Sequence, residues 1–224
     1  MLATSLLVIA LSTSPVLETP QDPAESAASH LPTGTLLFSQ GDCLAVKVFS
    51  ASSYTHVAMV CRTGEEVMVY DANPGTGVRC QPLEAYLKCI APDEIQVMVP
   101  QRDMSDKELE KLRSFLDSKL GTPYAVLHHT TGQRAEGVHC SEYLTDALCE
   151  IDWLEAKSPP RVSPGSLLDG VSGPNIYRSA GLIQIEEELP SPPPDAGRCG
   201  RMWFATKQCC QQCCKKLSRV FLCR

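Results

Sequence analysis

Cys140, His56 and Asp71 are the residues of this chain whose types and settings could do chemistry together. Cys140 opens a segment in which Tyr143, Leu144, Ala147, Leu148 and Ile151 recur at helical spacing. A helix N-terminus lowers a thiol's pKa, because its unpaired N–H groups and its dipole favour thiolate. His56 falls in an apolar run, Thr55 to Cys61, that Thr63-Gly64 joins to a second run, Glu66 to Asp71. The two runs read as a β-hairpin. If Thr63 and Gly64 form a two-residue loop, His56 lies directly opposite Asp71 on one face of the sheet. Such partners have Cβ atoms about 4.5–5.5 Å apart, within reach of an imidazole–carboxylate contact. A nucleophile, a proton acceptor and a group that fixes the imidazole tautomer are the parts of a cysteine hydrolase. Spacing alone leaves plainer readings open: Cys140 as a small buried hydrophobe, His56 as a satisfied sheet histidine, Asp71 as the residue leading into a turn.

The elements that must hold these groups can be read along the chain. Thr35 to Phe38 suits a strand closed by Gly41, whereas Leu44 to Phe49 suits a helix or a strand equally. Asn73-Pro74-Gly75-Thr76-Gly77 is a turn, Pro82 to Leu87 suits one or two helical turns, and Ile95 to Val99 alternates as a strand. Ser105 and Glu108 form a capping box ahead of a stripe made by Leu109, Leu112, Leu116 and Leu120, with Gly121 as the stop. Pro159, Pro160 and Pro164 then break the chain, and Ile176-Tyr177 and Leu182 to Ile185 are expected as two closing strands. No internal repeat is present.

Several segments in this order resemble the permuted papain-like cysteine hydrolases of the NlpC-type superfamily. They are Gly34-Thr35-Leu36-Leu37-Phe38, Gly41-Asp42-Cys43 and Tyr54-Thr55-His56-Val57-Ala58-Met59-Val60. Val69-Tyr70-Asp71-Ala72, Gly77-Val78-Arg79, Gly121-Thr122-Pro123-Tyr124, His139-Cys140-Ser141-Glu142-Tyr143 and Ser163-Pro164 continue the likeness, which spans about residues 32–170. Histidine ahead of cysteine in the chain marks the permuted form. Ala58 stands where the family often has glycine, and Asp71 where glutamate is commoner, which shortens the acid by one methylene.

The resemblance implies an α+β, circularly permuted papain-like fold, with a small antiparallel sheet packed against helices and the nucleophile at a helix N-terminus. It implies that Cys140 attacks a carbonyl carbon to form a thioester, that His56 moves the proton, and that Asp71 orients the imidazole. The Cys140 N–H and, from its position, Tyr124 are the expected oxyanion donors. No cofactor is implied. Relatives cleave peptide amides, so an amidase or peptidase acting on a peptide is the first expectation. Folds of the lecithin:retinol acyltransferase type move acyl chains, which makes an acyl-lipid substrate the second. A catalytically inactive, membrane-associated scaffold is the third. His128, His129 and His139 beside Cys140 lack zinc-type spacing, so no metal site is expected. The Ser141 hydroxyl is expected as a helix cap.

Composition divides the chain. It holds 20 basic and 26 acidic residues, a net charge of −6. Seven of the bases follow Asp195, the last acid, so the remainder carries 13 bases against 26 acids, or −13. An acidic body excludes a nucleic-acid surface there. At 43% hydrophobic residues, wholesale disorder is excluded. No run reaches the roughly 18 apolar residues of a spanning helix. Residues 1–33 read as an uncharged, signal-like apolar stretch and a Pro/Ser/Ala-rich linker, 34–188 as the catalytic-type domain, and 189–224 as a Pro-rich linker with a basic tail. Six of the 12 cysteines fall in the last 26 residues. Cys209, Cys210, Cys213 and Cys214 beside Lys215 and Lys216 suit S-acylation and a membrane surface, metal binding through Cys210-x-x-Cys213, disulfides after export, or a disordered tail. Export through the N-terminus and membrane association through the tail are competing expectations of location.

Overall fold

Buried side chains alternate along the long strands and build a sheet covered on both faces. In the computed structural model the described residues are 16–17, 31–41, 47, 52–90, 94–126, 129, 131–134, 136–173, 176–184 and 191–222. The strands are β1 (Val16–Leu17), β2 (Leu36–Gln40), β3 (Tyr54–Thr63), β4 (Glu66–Asn73), β5 (Gly77–Pro82), β6 (Glu94–Pro100) and β7 (Tyr177–Gln184). The helices are α1 (Leu83–Ile90), α2 (Asp106–Ser118), α3 (Cys140–Glu150), α4 (Pro164–Ser172) and α5 (Arg198–Leu222). The sheet runs β1-β7-β6-β2-β3-β4-β5. Six strands, β2 to β7, pair antiparallel, and the two-residue β1 adds a parallel partner to β7 at one edge. The fold is α+β, as expected.

On β3, Val57, Met59 and Cys61 point to one face and Ala58 and Val60 to the other. The first face packs against Leu112 and Leu116 of α2, Leu144 and Leu148 of α3, and Leu167 and Val171 of α4. The second packs against Leu83, Tyr86 and Leu87 of α1. Each fully buried leucine contributes about 1.5–3 kcal/mol, so α3 is anchored chiefly by this stripe.

The hairpin register differs from expectation. Thr63 pairs with Glu66 and Met59 with Tyr70, so the loop is Gly64-Glu65 rather than Thr63-Gly64. Gly64 has φ 62°, and of the two loop residues it alone takes positive φ, the arrangement a II′ hairpin turn favours. The shift moves every partner by two residues. Because side chains repeat every two residues, His56 and Asp71 keep a common face and become diagonal neighbours.

The capping box at Ser105 and Glu108 forms, but only Leu112 and Leu116 of the expected stripe are buried, and Leu120 lies beyond the helix, 45% exposed. The two closing strands are one, β7, bulged against β6 between Val97 and Met98. The tail is not disordered: residues 198–222 form α5. Within the uncertain segment from Leu44 to Phe49 only Lys47 is described, and it is helical. Asp42, Cys43, His128 and the signal-like residues ahead of β1 lie outside the described residues.

Candidate active site

Cys140 is the first residue of α3 and is 3% exposed. As the first helical residue, its own N–H has no acceptor within the helix. The cap ahead of it is His139, not Ser141. Glu142 N–H donates to His139 Nδ1 (3.3 Å), while His139 Nε2–H donates to the Pro160 carbonyl (2.9 Å). Nδ1 accepts only while it carries no proton, so a protonated His139 gives up this cap. The Ser141 hydroxyl donates to the Val162 carbonyl (2.7 Å), tying the first turn of α3 to the chain leading into α4. Glu142, also buried, lies 3.7 Å from the Arg134 guanidinium, which pairs more closely with Asp146 (2.6 Å).

His56 sits where β3 is bulged. Ser39 pairs with His56 and Gln40 with Tyr54, which leaves Thr55 as the extra residue. A bulge re-aims side chains. Here it breaks the alternation where the imidazole meets groups from both faces of the sheet. From α1, the Tyr86 ring stacks at 6.4 Å between centroids. From α3 comes Cys140, whose thiolate charge acts on His56. On its far side His56 Nε2–H donates to Asp71 Oδ2 (3.1 Å), which leaves Nδ1 as the nitrogen that serves the thiol.

Asp71 is fully buried and also accepts a two-point bond from Arg79, Nε to Oδ1 at 2.8 Å and Nη2 to Oδ2 at 3.1 Å. Arg79 was not singled out from the sequence. The Asn73–Gly77 turn sets the β4–β5 register and puts Asp71 directly opposite Arg79. That register was the signal that could have found it. His139 and Tyr86 were missed in the same way, since their roles depend on what α1 and the Pro160 loop bring to them.

Burial disfavours a charged Cys140, yet the charge on His56, hydrogen bonds to His139 and His56, and the charge on His139 outweigh it and hold the thiol down to about 5. Burial likewise opposes a charged His56, but the Cys140 thiolate and Asp71 hold it up to about 10. The two shifts describe one thiolate–imidazolium pair. Asp71 is held below the ordinary carboxylate range: burial opposes this, and His56 and Arg79 prevail. Burial and the Cys140 charge push the Tyr124 phenol up, so it is a protonated donor near the thiol.

The segment that carries Tyr124 is held beside the approach to α3. Val138 N–H donates to the Pro123 carbonyl (2.9 Å), and Ala125 N–H donates back to Val138 (3.1 Å). Gly137 has φ 99°, and a side chain there would meet the Pro123 carbonyl at 2.7 Å. Only glycine fits this close approach, which brings the Gly-x-Pro-Tyr segment against the residues leading into Cys140. Among the described residues, no three His, Cys, Asp or Glu side chains are grouped to hold a metal ion.

A histidine strand that precedes a cysteine helix, joined by an antiparallel sheet, defines a permuted papain-like protein. A family model described as permuted papain-like amidase enzyme, YaeF/YiiX, C92 family, matches residues 30–158, more than half of the 224. The chain belongs to that family, an amidase class of hydrolases. The crystal structure of metalloprotein yiiX from Escherichia coli O157:H7 is similar at 17% identity and a TM-score of 0.45, covering 71% of this chain and 99% of that one. No curated protein sequence matches the chain.

Proposed function

We propose that the protein is a thiol-dependent amidase or peptidase that works through Cys140, His56 and Asp71. The observation that carries this reading is the buried thiolate–imidazolium pair at the start of α3, with Asp71 behind the imidazole. The Cys140 sulfur attacks the scissile carbonyl. The Cys140 N–H and the Tyr124 hydroxyl receive the developing oxyanion, each such donor being worth about 2.7–4 kcal/mol in the transition state. The His56 imidazolium gives its proton to the leaving amine, and the acyl group stays on sulfur as a thioester. His56, now neutral, takes a proton from water, which hydrolyses the thioester and restores the thiolate. Arg79 keeps Asp71 ionised, and Asp71 holds the imidazole with Nδ1 toward the sulfur.

The test is the rate of iodoacetamide labelling against pH, with the modified residue located by peptide mapping. Cys140 is expected to react at an undiminished rate down to about pH 5, whereas an ordinary thiol of pKa about 8.5 slows tenfold per unit below it. Labelling confined to the exposed tail cysteines, with Cys140 silent at neutral pH, would overturn the nucleophile assignment.

One feature favours a second reading, an acyl-lipid substrate: the apolar face of α5, where Met202 and Trp203 are exposed. Thioester formation is common to both readings, and the acceptor decides the product. Release of free fatty acid or transfer of an acyl chain from phospholipid by wild type, and not by Cys140→Ala, separates them. The inactive-scaffold reading needs Cys140 and His56 apart, and the strong electrostatic coupling between them speaks against it.

A further inference from the structure

Helical spacing reorders the tail. With 3.6 residues per turn, Cys199, Met202, Trp203, Cys209, Cys210, Cys213, Cys214 and Leu217 fall within an arc of about 140°, with Thr206 as its one described polar member. Arg198, Arg201, Lys207, Gln208, Gln211 and Gln212 lie outside it, with Phe204 as the exception. The arc is exposed: Met202 is 69% exposed, Trp203 72% and Leu217 57%, and all five of its cysteines are exposed free thiols. No described helix is long and apolar enough to cross a membrane.

We propose that α5 lies in the plane of an anionic lipid bilayer, with the cysteine face in the lipid and the basic face among the headgroups. Charge complementarity selects this occupant. The tail carries seven bases and no acid after Asp195. A second copy of the helix would bring bases against bases, whereas an anionic headgroup layer attracts them. The helix also disfavours the other fates of these cysteines. Cβ atoms three or four residues apart on a helix are about 5–6 Å apart, beyond the roughly 3.5–4.5 Å that a disulfide spans. Four thiols on one convex face do not surround a tetrahedral ion.

At interface depth the thiols of Cys209, Cys210, Cys213 and Cys214 meet long-chain acyl thioesters. With a fatty acyl-CoA as donor, the cysteine sulfur forms a bond to the acyl carbon. The carbon–sulfur bond to coenzyme A breaks, and the cysteine proton leaves with the coenzyme A thiol. Nothing is oxidised or reduced. The acyl chain supplies a second anchoring signal beside the basic face.

The test uses the full chain and vesicles of phosphatidylcholine with or without about 30% phosphatidylserine. Partitioning is expected to be more than about tenfold stronger with phosphatidylserine and to weaken steeply as salt rises from about 0.1 to 0.5 M. Trp203 emission should shift blue on binding. Trp203→Glu with Leu217→Glu should abolish binding while Cys140 labelling is unchanged, which separates this inference from the catalytic reading. On vesicles with palmitoyl-CoA, hydroxylamine-labile mass additions should map to the arc cysteines and not to the exposed Cys89 of α1. Equal binding to neutral vesicles, binding that the double variant retains, or a lipid-free dimer that the double variant dissolves would overturn the proposal. Absence of acyl additions on the bound protein would overturn its covalent part.

Discussion

Asp71 serves two partners from a fully buried position, His56 on one oxygen and Arg79 on both. The arrangement fixes the pH behaviour of the candidate site. On the proposed mechanism activity needs the Cys140 thiolate, which is lost as pH falls through about 5, and the His56 imidazolium, which is lost as pH rises through about 10. A plot of kcat/KM against pH is therefore expected to be flat between those limits. Asp71→Asn removes a charge and an acceptor that both raise His56, so the alkaline limb should move down while the acid limb rises. A loss of roughly 10²–10⁴-fold in kcat should accompany it, the size of a misdirected general acid–base group. An unchanged alkaline limb in the pH–rate profile would show that Asp71 does not act on His56.

At the level of elements, His139 has two roles at the start of α3, one in each protonation state: neutral, it caps the helix through Nδ1, and protonated, it lowers the Cys140 thiol. Two substitutions separate the jobs. His139→Ala loses the cap, which costs about 1 kcal/mol and should lower the melting temperature by about 2–4 °C in a chain this long. His139→Asn keeps a capping acceptor and should recover that temperature. Neither should recover the acidity of Cys140, read from the pH at which its alkylation falls by half.

The parts of this site legible in the sequence are those set by local pattern. The Tyr143–Ile151 spacing gave the helix and put Cys140 at its start. The His56 and Asp71 pairing survived a two-residue error in the turn because the strand period is two. What depends on a third element was not legible. Arg79 needs the β4–β5 register, and Tyr86 needs the α1 packing. The tail was read by composition, and its periodicity, which was equally available, carries the helix.

Over the whole molecule, charge is split between an acidic body of −13 and a basic helix. An anionic surface that attracts α5 repels the rest, so the body is expected to stand off the bilayer rather than lie on it. Vesicle-bound wild type should process a bilayer-held substrate faster than the Trp203→Glu, Leu217→Glu variant does. Both should turn over a soluble peptide amide equally. Paired initial rates on the two substrates check this, and an equal gain on the soluble amide would contradict it.

The connection between the end of β7 at Gln184 and the start of α5 at Arg198 is 13 residues. Fully extended, it reaches about 45 Å. With α5 anchored, that length would bound how far the body can stand from the surface. Such anchoring would turn the candidate site's search from three dimensions to two and present a lipid-held substrate within reach at about millimolar effective concentration. Turnover would then follow the density of substrate in the surface and not its amount in the volume, and lengthening the connection would dilute the site without touching a catalytic atom.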